Sequence, residues 1–474
     1  MSFPVRASAR TGRPSAADVV EGLLAETRAG RLPAGSRLPP VRVLEQQLGM
    51  SKNTAQAAYD ELVSRGVLET RPREGVFVAA TEESRAAPAN VATPPLPRLR
   101  PAPRLGASRL PREGISLSTV FIDPELLPRD KLAECARSVL RSPGLFPFYD
   151  AQGYPPLREL CARRLRARGM EVDPAQVIVT TGSQQALDLV ARSIEVRRVA
   201  VETPTYGHAR QLFETLGLQI SALRLDPFSG PDLERWEAQI ARDRPGFFYT
   251  VTSFQNPTGY SYTTHELTRI LQIAEMHGTA LVEDDWGSDM LSGSEYRPML
   301  RMLGGENVIY VNSFTKKLLP SLRVGFLVAP ESLVPTLVAM KRVSTLGNAW
   351  LTEAIVAEFL DRGYYDAHLG ALQRELDARY TACLTSLEEL MPEGARWTRP
   401  GGGPTLWLEL PRSVDLAALD RRLSARGVFV ESAEPAFHDE PHLHGFRLSY
   451  AFCTAEAMRR GLEILAEELR AGPR

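Results

Sequence analysis

The chain has 474 residues, of which 43% are hydrophobic and 24% are charged, so it has enough apolar material for more than one globular core. Its formal net charge is -1, which excludes a uniformly basic protein and requires any nucleic-acid surface to be local. Its 4 cysteines are scattered without CxxC spacing, which predicts neither a disulfide framework nor a zinc site. The sequence starts without an apolar signal core and has no long uncharged apolar run, which predicts a cytoplasmic protein without a membrane partner.

The first eighty residues carry the pattern of three helices followed by a hairpin. Apolar residues recur at helical spacing over 15–29, with Ser15 as the N-cap, and a second helix is predicted over about 41–48. A Gly-Met turn separates this helix from a third one, over 52–64. Two β-rich runs, 67–70 and 75–78, complete a winged helix-turn-helix domain, which we place at residues 1–80.

In such a domain the third helix enters the DNA major groove with its N-terminal residues foremost. Short hydroxyl, amide and cationic side chains suited to base edges and phosphates stand there: Ser51, Lys52, Asn53, Thr54 and Gln56. Further cations suited to phosphate contacts are Arg37 and Arg42, near the second helix, and Arg73 at the wing. The alternative is a small helical domain whose exposed residues happen to be basic. We predict double-stranded DNA, a promoter operator, as the partner.

The composition changes over residues 81–113, where seven prolines mix with alanine and arginine without a period. Such a segment favours an extended, semi-rigid tether rather than a packed element. We therefore predict a linker at 81–113, which joins the first domain to a large one.

Strands and helices alternate from residue 114 to 474, which predicts an α/β domain with a mostly parallel central sheet. Polar groups follow several strands, at the edge where α/β sheets bind ligands. The most distinctive stretch is 312–326, between two apolar strands, where Lys316 and Arg323 stand beside Ser313 and Thr315. A constrained lysine can act as an amine nucleophile, and the other three suit a phosphate. From this stretch alone, a solvated basic loop is an equal alternative.

Further candidate groups at strand ends make pyridoxal 5'-phosphate (PLP) the cofactor that suits this stretch. The helix start at Gly182, Ser183 and Gln184 offers amide donors to a phosphate, and Tyr206 offers a ring to stack on the pyridine. Asn256 is expected to donate to the phenolic oxygen, and Asp284 to pair with the pyridine nitrogen. Lys316 would form the Schiff base. Each residue singly has a structural alternative, such as a turn, a helix cap or a surface aromatic.

The N-terminal residues resemble the DNA-binding domain of the GntR regulator family. The matching runs are LPAGSRLP at 32–39, SKNT at 51–54, AYDEL at 58–62, GVL at 66–68 and GVFV at 75–78. The chain departs from the family at Pro40, where a serine is usual, and at Lys52, where an arginine is common. Lysine keeps the charge but loses the planar fork of arginine.

The large domain resembles fold-type I PLP-dependent aminotransferases, and the whole chain resembles the MocR family of regulators, which fuse both domains. The matching runs are GYPPLR at 153–158, GSQQA at 182–186, NPTG at 256–259, EDD at 283–285 and SFTK at 313–316, with Arg323. The resemblance implies an obligate homodimer, Arg323 on the cofactor phosphate, and Arg447 on a substrate or effector carboxylate. Trp286 and Phe148 stand where the family often has tyrosines that reach the cofactor.

The leading hypothesis is a PLP-dependent DNA-binding transcriptional regulator, which senses an amino acid or amine through an external aldimine formed in place of Lys316. One alternative is a working aminotransferase with an accessory DNA-binding head. A weaker alternative is a DNA-binding protein whose large domain has lost PLP. His438, His442 and His444 lie in a loop without flanking cysteines, so no metal site is predicted there.

Overall fold

The structure, a computed structural model, describes residues 14–80, 114–142, 150–290 and 299–472. The chain divides into two compact units, residues 1–101 and 102–474. The predicted linker at 81–113 lies outside the described residues, and so do Phe148 and Tyr149.

The first unit contains the elements of a winged helix-turn-helix, as the sequence predicts. These are α1 (Ala16–Arg28), α2 (Val41–Leu48), α3 (Lys52–Ser64), β1 (Leu68–Arg71) and β2 (Gly75–Val78). Ser15 caps α1 in a capping box with Asp18, and the hydroxyl of Ser51 accepts a hydrogen bond from the backbone of Thr54 at the start of α3. Gly49 ends α2 with φ of 64°, a conformation that glycine adopts without strain.

One apolar cluster holds the three helices and the wing of this unit together. It includes Val20 from α1, Leu44 from α2, Leu62 from α3 and Val78 from the wing, all buried. The strands β1 and β2 pair antiparallel, and the hydroxyl of Tyr59 donates to the carbonyl of Pro39 at 2.9 Å. Because α3 is anchored from its inner face, its N-terminal residues remain exposed.

The second unit alternates strands and helices. Its strands are β3 (Ile115–Ser116), β4 (Val177–Thr180), β5 (Arg198–Thr203), β6 (Gln219–Asp226), β7 (Gly230–Pro231), β8 (Phe247–Thr250), β9 (Ala280–Asp285), β10 (Val308–Ser313), β11 (Gly325–Val328), β12 (Arg396–Trp397), β13 (Thr405–Glu409), β14 (Val428–Phe429) and β15 (Gly445–Ser449). Its helices are α4 (Arg129–Arg141), α5 (Pro155–Ala167), α6 (Ser183–Ser193), α7 (Gly207–Thr215), α8 (Leu233–Asp243), α9 (Thr264–His277), α10 (Leu300–Gly304), α11 (Val334–Thr345), α12 (Trp350–Asp361), α13 (Tyr364–Leu390), α14 (Leu416–Ala425) and α15 (Ala455–Ala471).

Within the described residues, eight strands form the central sheet in the order β4-β11-β10-β9-β8-β5-β6-β7. The five strands β10, β9, β8, β5 and β6 run parallel to one another. At the two ends of this set, β11 is antiparallel to both β10 and β4, and β7 is antiparallel to β6. A mostly parallel sheet is therefore confirmed. The antiparallel β11 follows β10 directly, so the chain turns back over the stretch that carries Lys316 and Arg323.

A smaller antiparallel sheet, β12-β13-β15, carries Arg447, and β14 pairs with β3. Cys135, Cys161 and Cys383 are buried and Cys453 is half-buried; all four are free thiols, as the sequence predicts. Among the helices described, none is long and apolar enough to cross a membrane.

Candidate functional site

The acidic pair that the sequence places after a strand actually forms the last two residues of β9, Asp284 and Asp285. This corrects the predicted strand end, because β9 extends to Asp285. Successive residues of a strand point to opposite faces of the sheet, so the two carboxylates have different surroundings. Asp285 accepts hydrogen bonds from the hydroxyls of Tyr310 and Ser288, each at 2.6 Å. Asp285 therefore has a structural set of partners.

Asp284 is buried but incompletely paired. The hydroxyl of Tyr249 donates to its Oδ2 at 3.0 Å, whereas its Oδ1 is buried and has no hydrogen-bond partner. Burial raises the pKa of Asp284 to about 7, although the bond from Tyr249 opposes that rise. A buried, unpaired carboxylate oxygen is costly to leave unsatisfied, so Asp284 is the acid that is available to a ligand.

The sequence contains five lysines, all of them in the described residues, and their contacts differ sharply. Lys317 is buried with its ammonium bound to Asn312 at 2.8 Å and Asp289 at 2.9 Å. Lys341 is buried and donates to the carbonyl of Val179 at 2.6 Å. Lys52 and Lys131 are exposed.

Lys316 places its Nζ 3.9 Å from the ring centroid of Phe121, whereas the exposed Lys131 places its Nζ 4.5 Å from that of Tyr364. Burial, and then the positive charges of Arg447 and Arg323, lower the pKa of Lys316 to about 7. The negative charge of Asp284 acts in the opposite direction and raises the pKa of the same amine. A substantial fraction of Lys316 is therefore a neutral amine, the form that attacks a carbonyl carbon.

The residues predicted to form a phosphate cup lie where the start of α6 meets the turn before β11. Gly182 has φ of 87° and caps α6, and a Cβ on it would lie only 2.7 Å from Nη2 of Arg323. A Cβ on Gly325 would lie 2.8 Å from Cα of Gly182, so both positions depend on glycine for close packing. Nη2 of Arg323 donates to the carbonyl of Thr181 at 2.8 Å.

The hydroxyl residues of the cup contact one another rather than a charged group. The hydroxyl of Ser313 donates to that of Thr315 at 2.8 Å, and both residues are buried. Ser183 begins α6, as predicted, whereas the side chain of Gln184 donates to the carbonyl of His208 at 3.1 Å. Gln184 therefore offers a backbone amide to the cup, while its side-chain amide is already used.

Asn256 and Arg447, which are far apart in the sequence, are in contact. Nη1 of Arg447 donates to Oδ1 of Asn256 at 2.7 Å, and Nη2 donates to Oε2 of Glu431 at 2.8 Å. Tyr206 belongs to the same neighbourhood, because the charges of Asp284, Arg447 and Arg323 all act on its hydroxyl. Burial is the main cause that raises the pKa of Tyr206 to about 12.

Sequence reasoning missed four residues of this neighbourhood: Phe121, Tyr249, Ser118 and Glu431. Tyr249 had a detectable signal, because it lies one residue before the end of an apolar strand beside the one that carries Asp284. The other three lie in segments with no distinctive local pattern. Their proximity to Lys316 or Arg447 arises only from long-range packing.

Trp286 differs from the tyrosine that the resemblance predicts at its position, and its contacts show where it points. Its indole Nε1 donates to the carbonyl of Phe254 at 2.9 Å, and the side chain packs in the apolar core beside the sheet. Trp286 therefore supplies no hydroxyl. Phe148, the other departure, lies outside the described residues.

The histidines of the predicted loop make separate contacts. His442 and His444 each place Nε2 on a backbone carbonyl, of Leu225 and Val414, whereas Nδ1 of His438 faces Glu214. Across the described residues, no group of three His, Cys, Asp or Glu side chains is arranged to hold a metal ion.

The candidate DNA-contacting residues lie on the surface of the first unit. Those exposed to solvent are Arg37, Arg42, Ser51, Lys52, Asn53, Gln56 and Arg73, and Thr54 is half-buried. Two of them already have partners, since Ser51 caps α3 and the amide of Gln56 donates to Asp60 at 2.8 Å. The cations and Asn53 are therefore the groups with the greatest freedom to reach a phosphate or base.

Two family models match the chain. The description "Bacterial regulatory proteins, gntR family" matches residues 15–78, and "Aminotransferase class I and II" matches residues 123–465.

Similar proteins include both regulators and enzymes. The probable rhizopine catabolism regulatory protein MocR of Rhizobium meliloti is 30% identical over 469 residues, which cover 95% of this chain and 93% of the relative. A 2-aminoadipate transaminase of Thermus thermophilus is 35% identical over 355 residues, which cover 73% of this chain and 88% of the relative. The crystal structure of the α-aminoadipate aminotransferase LysN from Thermus thermophilus, complexed with N-(5'-phosphopyridoxyl)-L-leucine, superposes with a TM-score of 0.71 at 34% identity. It covers 76% of this chain and 93% of that chain.

Proposed function

This chain belongs to the MocR family, in which a GntR-type DNA-binding head is joined to a fold-type I aminotransferase domain, and from this premise we propose that it is a transcriptional regulator that senses an amino acid or amine through PLP. DNA is the partner of the head, and PLP is the cofactor of the large domain. The sensing step, the residues that perform it and the homodimer are parts of the proposal.

The observation that carries the proposal is the unpaired buried oxygen of Asp284 beside the partly neutral amine of Lys316. An acid of this kind fits the protonated nitrogen of a pyridine ring. The close approach of Gly182 to Arg323 fits a phosphate, because the backbone amides at the start of α6 and a guanidinium converge without an intervening Cβ. The residues present therefore fit PLP.

When bound, PLP supplies a carbonyl carbon for amines and an electron sink for their bonds. Lys316 would hold the cofactor, Asp284 would keep a proton at the ring nitrogen, and Asn256 and Tyr206 would orient the ring. Ser313, Thr315 and Arg323 would hold the phosphate. Arg447 would bind the carboxylate of an incoming amino acid. The amine of that amino acid would take the place of Lys316 on the cofactor, and the contacts of the domain would change.

A change of this kind regulates DNA binding only if the effector binds the two states of the protein with different affinity. In the head, Lys52 and Asn53 would contact the operator from the N-terminus of α3, and Arg37, Arg42 and Arg73 would contact phosphates. The residues Ser51, Thr54 and Gln56 would complete that surface.

The exposed apolar side chains at the end of α11 support a homodimer. Val343 is 87% exposed and Leu346 is 56% exposed, although both are apolar. Exposed apolar side chains that lie close together commonly mark a protein–protein interface, and these two are three residues apart at one helix end. Two copies would place two heads on two operator half-sites.

A second candidate is a working aminotransferase. The pKa of Lys316, lowered to about 7, suits a group that moves protons near neutral pH, and the Thermus thermophilus relative is a transaminase. Against this stands Trp286, whose indole is committed to Phe254 and provides no hydroxyl. Turnover of an amino donor with a keto acid at ordinary enzyme rates would favour the enzyme.

The test uses the full chain loaded with PLP. We expect a visible absorbance band that is absent from Lys316→Ala and retained by Lys131→Ala, a matched change at an exposed lysine. We also expect an amino acid or amine to change both this band and the affinity of the protein for a DNA fragment from its own promoter region. Unchanged DNA affinity across a broad amine panel would refute sensing, and a missing band at saturating PLP would refute the proposed site.

A further inference from the structure

Both terminal nitrogens of the Arg447 guanidinium are already engaged by groups of its own chain. Besides Asn256, it donates through Nη2 to the carbonyl of Ser118 at 2.8 Å and to the carboxylate of Glu431 at 2.8 Å. Only 14% of the Arg447 side chain is exposed, and its Nε is buried without a partner. An effector carboxylate that binds Arg447 must therefore displace the carboxylate of Glu431.

The backbone of Glu431 is held in place independently of the bond between its carboxylate and Arg447. Its backbone N–H donates to the hydroxyl of Ser118 at 2.9 Å, and that hydroxyl donates to the carbonyl of Arg447 at 3.0 Å. The Glu431 side chain is 42% exposed, so its carboxylate can leave Arg447 and enter water at small cost.

The charge of Glu431 also acts on Lys316 and Tyr206, the residues proposed to hold and orient the cofactor. Its negative charge raises the pKa of both groups, although burial dominates the net shift in each case. A carboxylate displaced from Arg447 thus stays beside the effector. Two carboxylates near one guanidinium repel each other, and a second positive charge on the effector removes this repulsion.

We propose that Glu431 determines effector specificity: it occupies Arg447 in the free protein and, once displaced by an effector carboxylate, binds a second cationic group on that effector. This inference rests on the proposed function. It assigns the effector to the diamino monocarboxylic acids, with the α-carboxylate on Arg447 and the side-chain cation on Glu431. The pocket discriminates against dicarboxylic amino acids, which would add a third negative charge.

The experiment compares three amino acids of similar length, titrated into the PLP-loaded full chain and followed by absorbance and by DNA affinity. L-lysine ends in a cation, L-norleucine ends in a methyl group, and L-2-aminoadipate ends in a carboxylate. We expect the dissociation constant to increase in that order, with lysine at least about tenfold tighter than 2-aminoadipate. Cadaverine, which is lysine without its carboxylate, should bind more weakly than lysine because it leaves Arg447 paired with Glu431.

The variant Glu431→Gln should reduce the preference for lysine over 2-aminoadipate by about tenfold, mainly by admitting the dicarboxylic acid. Glu431→Asp keeps the charge and should retain the order of the three amino acids, which a merely structural role would not predict. Glu434→Gln, at an exposed position nearby, removes the same charge outside the pocket and should change nothing.

Any of three results would overturn the inference alone. Two concern the wild-type protein: a preference for 2-aminoadipate over lysine, or cadaverine binding as tight as that of lysine. The third is a ratio of the 2-aminoadipate and lysine dissociation constants that Glu431→Gln changes by less than about twofold. If no amine of the broad panel changes the spectrum of either protein, the proposed sensing function fails together with the inference. The two failures are therefore distinguishable.

Discussion

Replacing Asp284 by asparagine should weaken PLP binding and, at the same time, stabilise the PLP-free protein. The carboxylate is buried between β8 and β10, with Tyr249 as its hydrogen-bond donor and one oxygen unpaired. Asparagine keeps the shape and can still accept from Tyr249, but it carries no charge. The cofactor loses its partner for the ring nitrogen, and the fold loses a buried charge.

The stabilisation follows from the pKa of Asp284, which burial raises from 3.8 to about 7. Each pKa unit corresponds to about 1.4 kcal/mol, so the ionised carboxylate lowers the free energy of unfolding by about 4 kcal/mol at pH 8. Between these two pKa values the folded protein binds more protons than the unfolded chain, so wild-type stability falls as pH rises and is level above about pH 7. We expect Asp284→Asn to exceed wild type by about 2–4 kcal/mol at pH 8, with the difference vanishing near pH 4.

The loss of cofactor affinity follows from a charge-assisted hydrogen bond of about 1.5–3 kcal/mol, which is about a 10- to 150-fold increase in the dissociation constant of PLP. Absorbance titration measures this increase, and denaturant unfolding of the PLP-free protein measures stability. The neighbouring Asp285→Asn is the matched control. Because Asp285 pairs with Arg168 at 3.4 Å and also holds Tyr310 and Ser288, its replacement should destabilise the protein by about 3–5 kcal/mol.

Two results would refute this account of the two acids. One is a PLP-free Asp284→Asn protein that is less stable than wild type at pH 8, because the buried charge of Asp284 would then have a stabilising partner in the wild-type protein. The other is unchanged PLP affinity in the same variant, because Asp284 would then not contact the ring nitrogen. Equal behaviour of Asp284→Asn and Asp285→Asn would mean that the alternation along β9 does not separate their roles.

Three further predictions concern the pocket, the interface and the head. The rate of PLP uptake should increase with pH through about pH 7 and level off above about pH 8, because the pKa of Lys316 is lowered to about 7. Stopped-flow absorbance measures this rate, and a rate that continues to increase up to pH 10 would contradict the prediction. Val343→Asp should convert dimers to monomers in light scattering, whereas Met276→Asp, at a side chain 63% exposed on α9, should not. Lys52→Ala should weaken operator binding and reduce the salt slope by about one, unlike Lys131→Ala.

Local chemistry explains why much of the fold was predictable from the sequence. Ser15 and Ser51 begin helices because a hydroxyl that accepts a backbone N–H acts within three or four residues, and such signals are readable in the chain itself. Strands of a parallel sheet end at one edge, so the polar residues after them were expected to converge. The strand ends were less predictable, since β9 extends through both aspartates and β10 extends to Ser313.

By itself, the sequence determined the two domain types and the stretch that contains Lys316, because each depends on residues close together in the chain. It also determined the cofactor class, because polar residues that each follow a strand of one sheet converge at the same edge. The sequence already favoured Lys316 over Lys317 and Asp284 over Asp285, but only the tertiary structure supplied the physical difference, since adjacent residues differ in which distant groups they meet. Arg447 lies 329 positions from Ser118, yet the two share hydrogen bonds that also hold Glu431 in place. Contacts over such separations depend on how β3, β14 and β15 come together, and no local pattern records that.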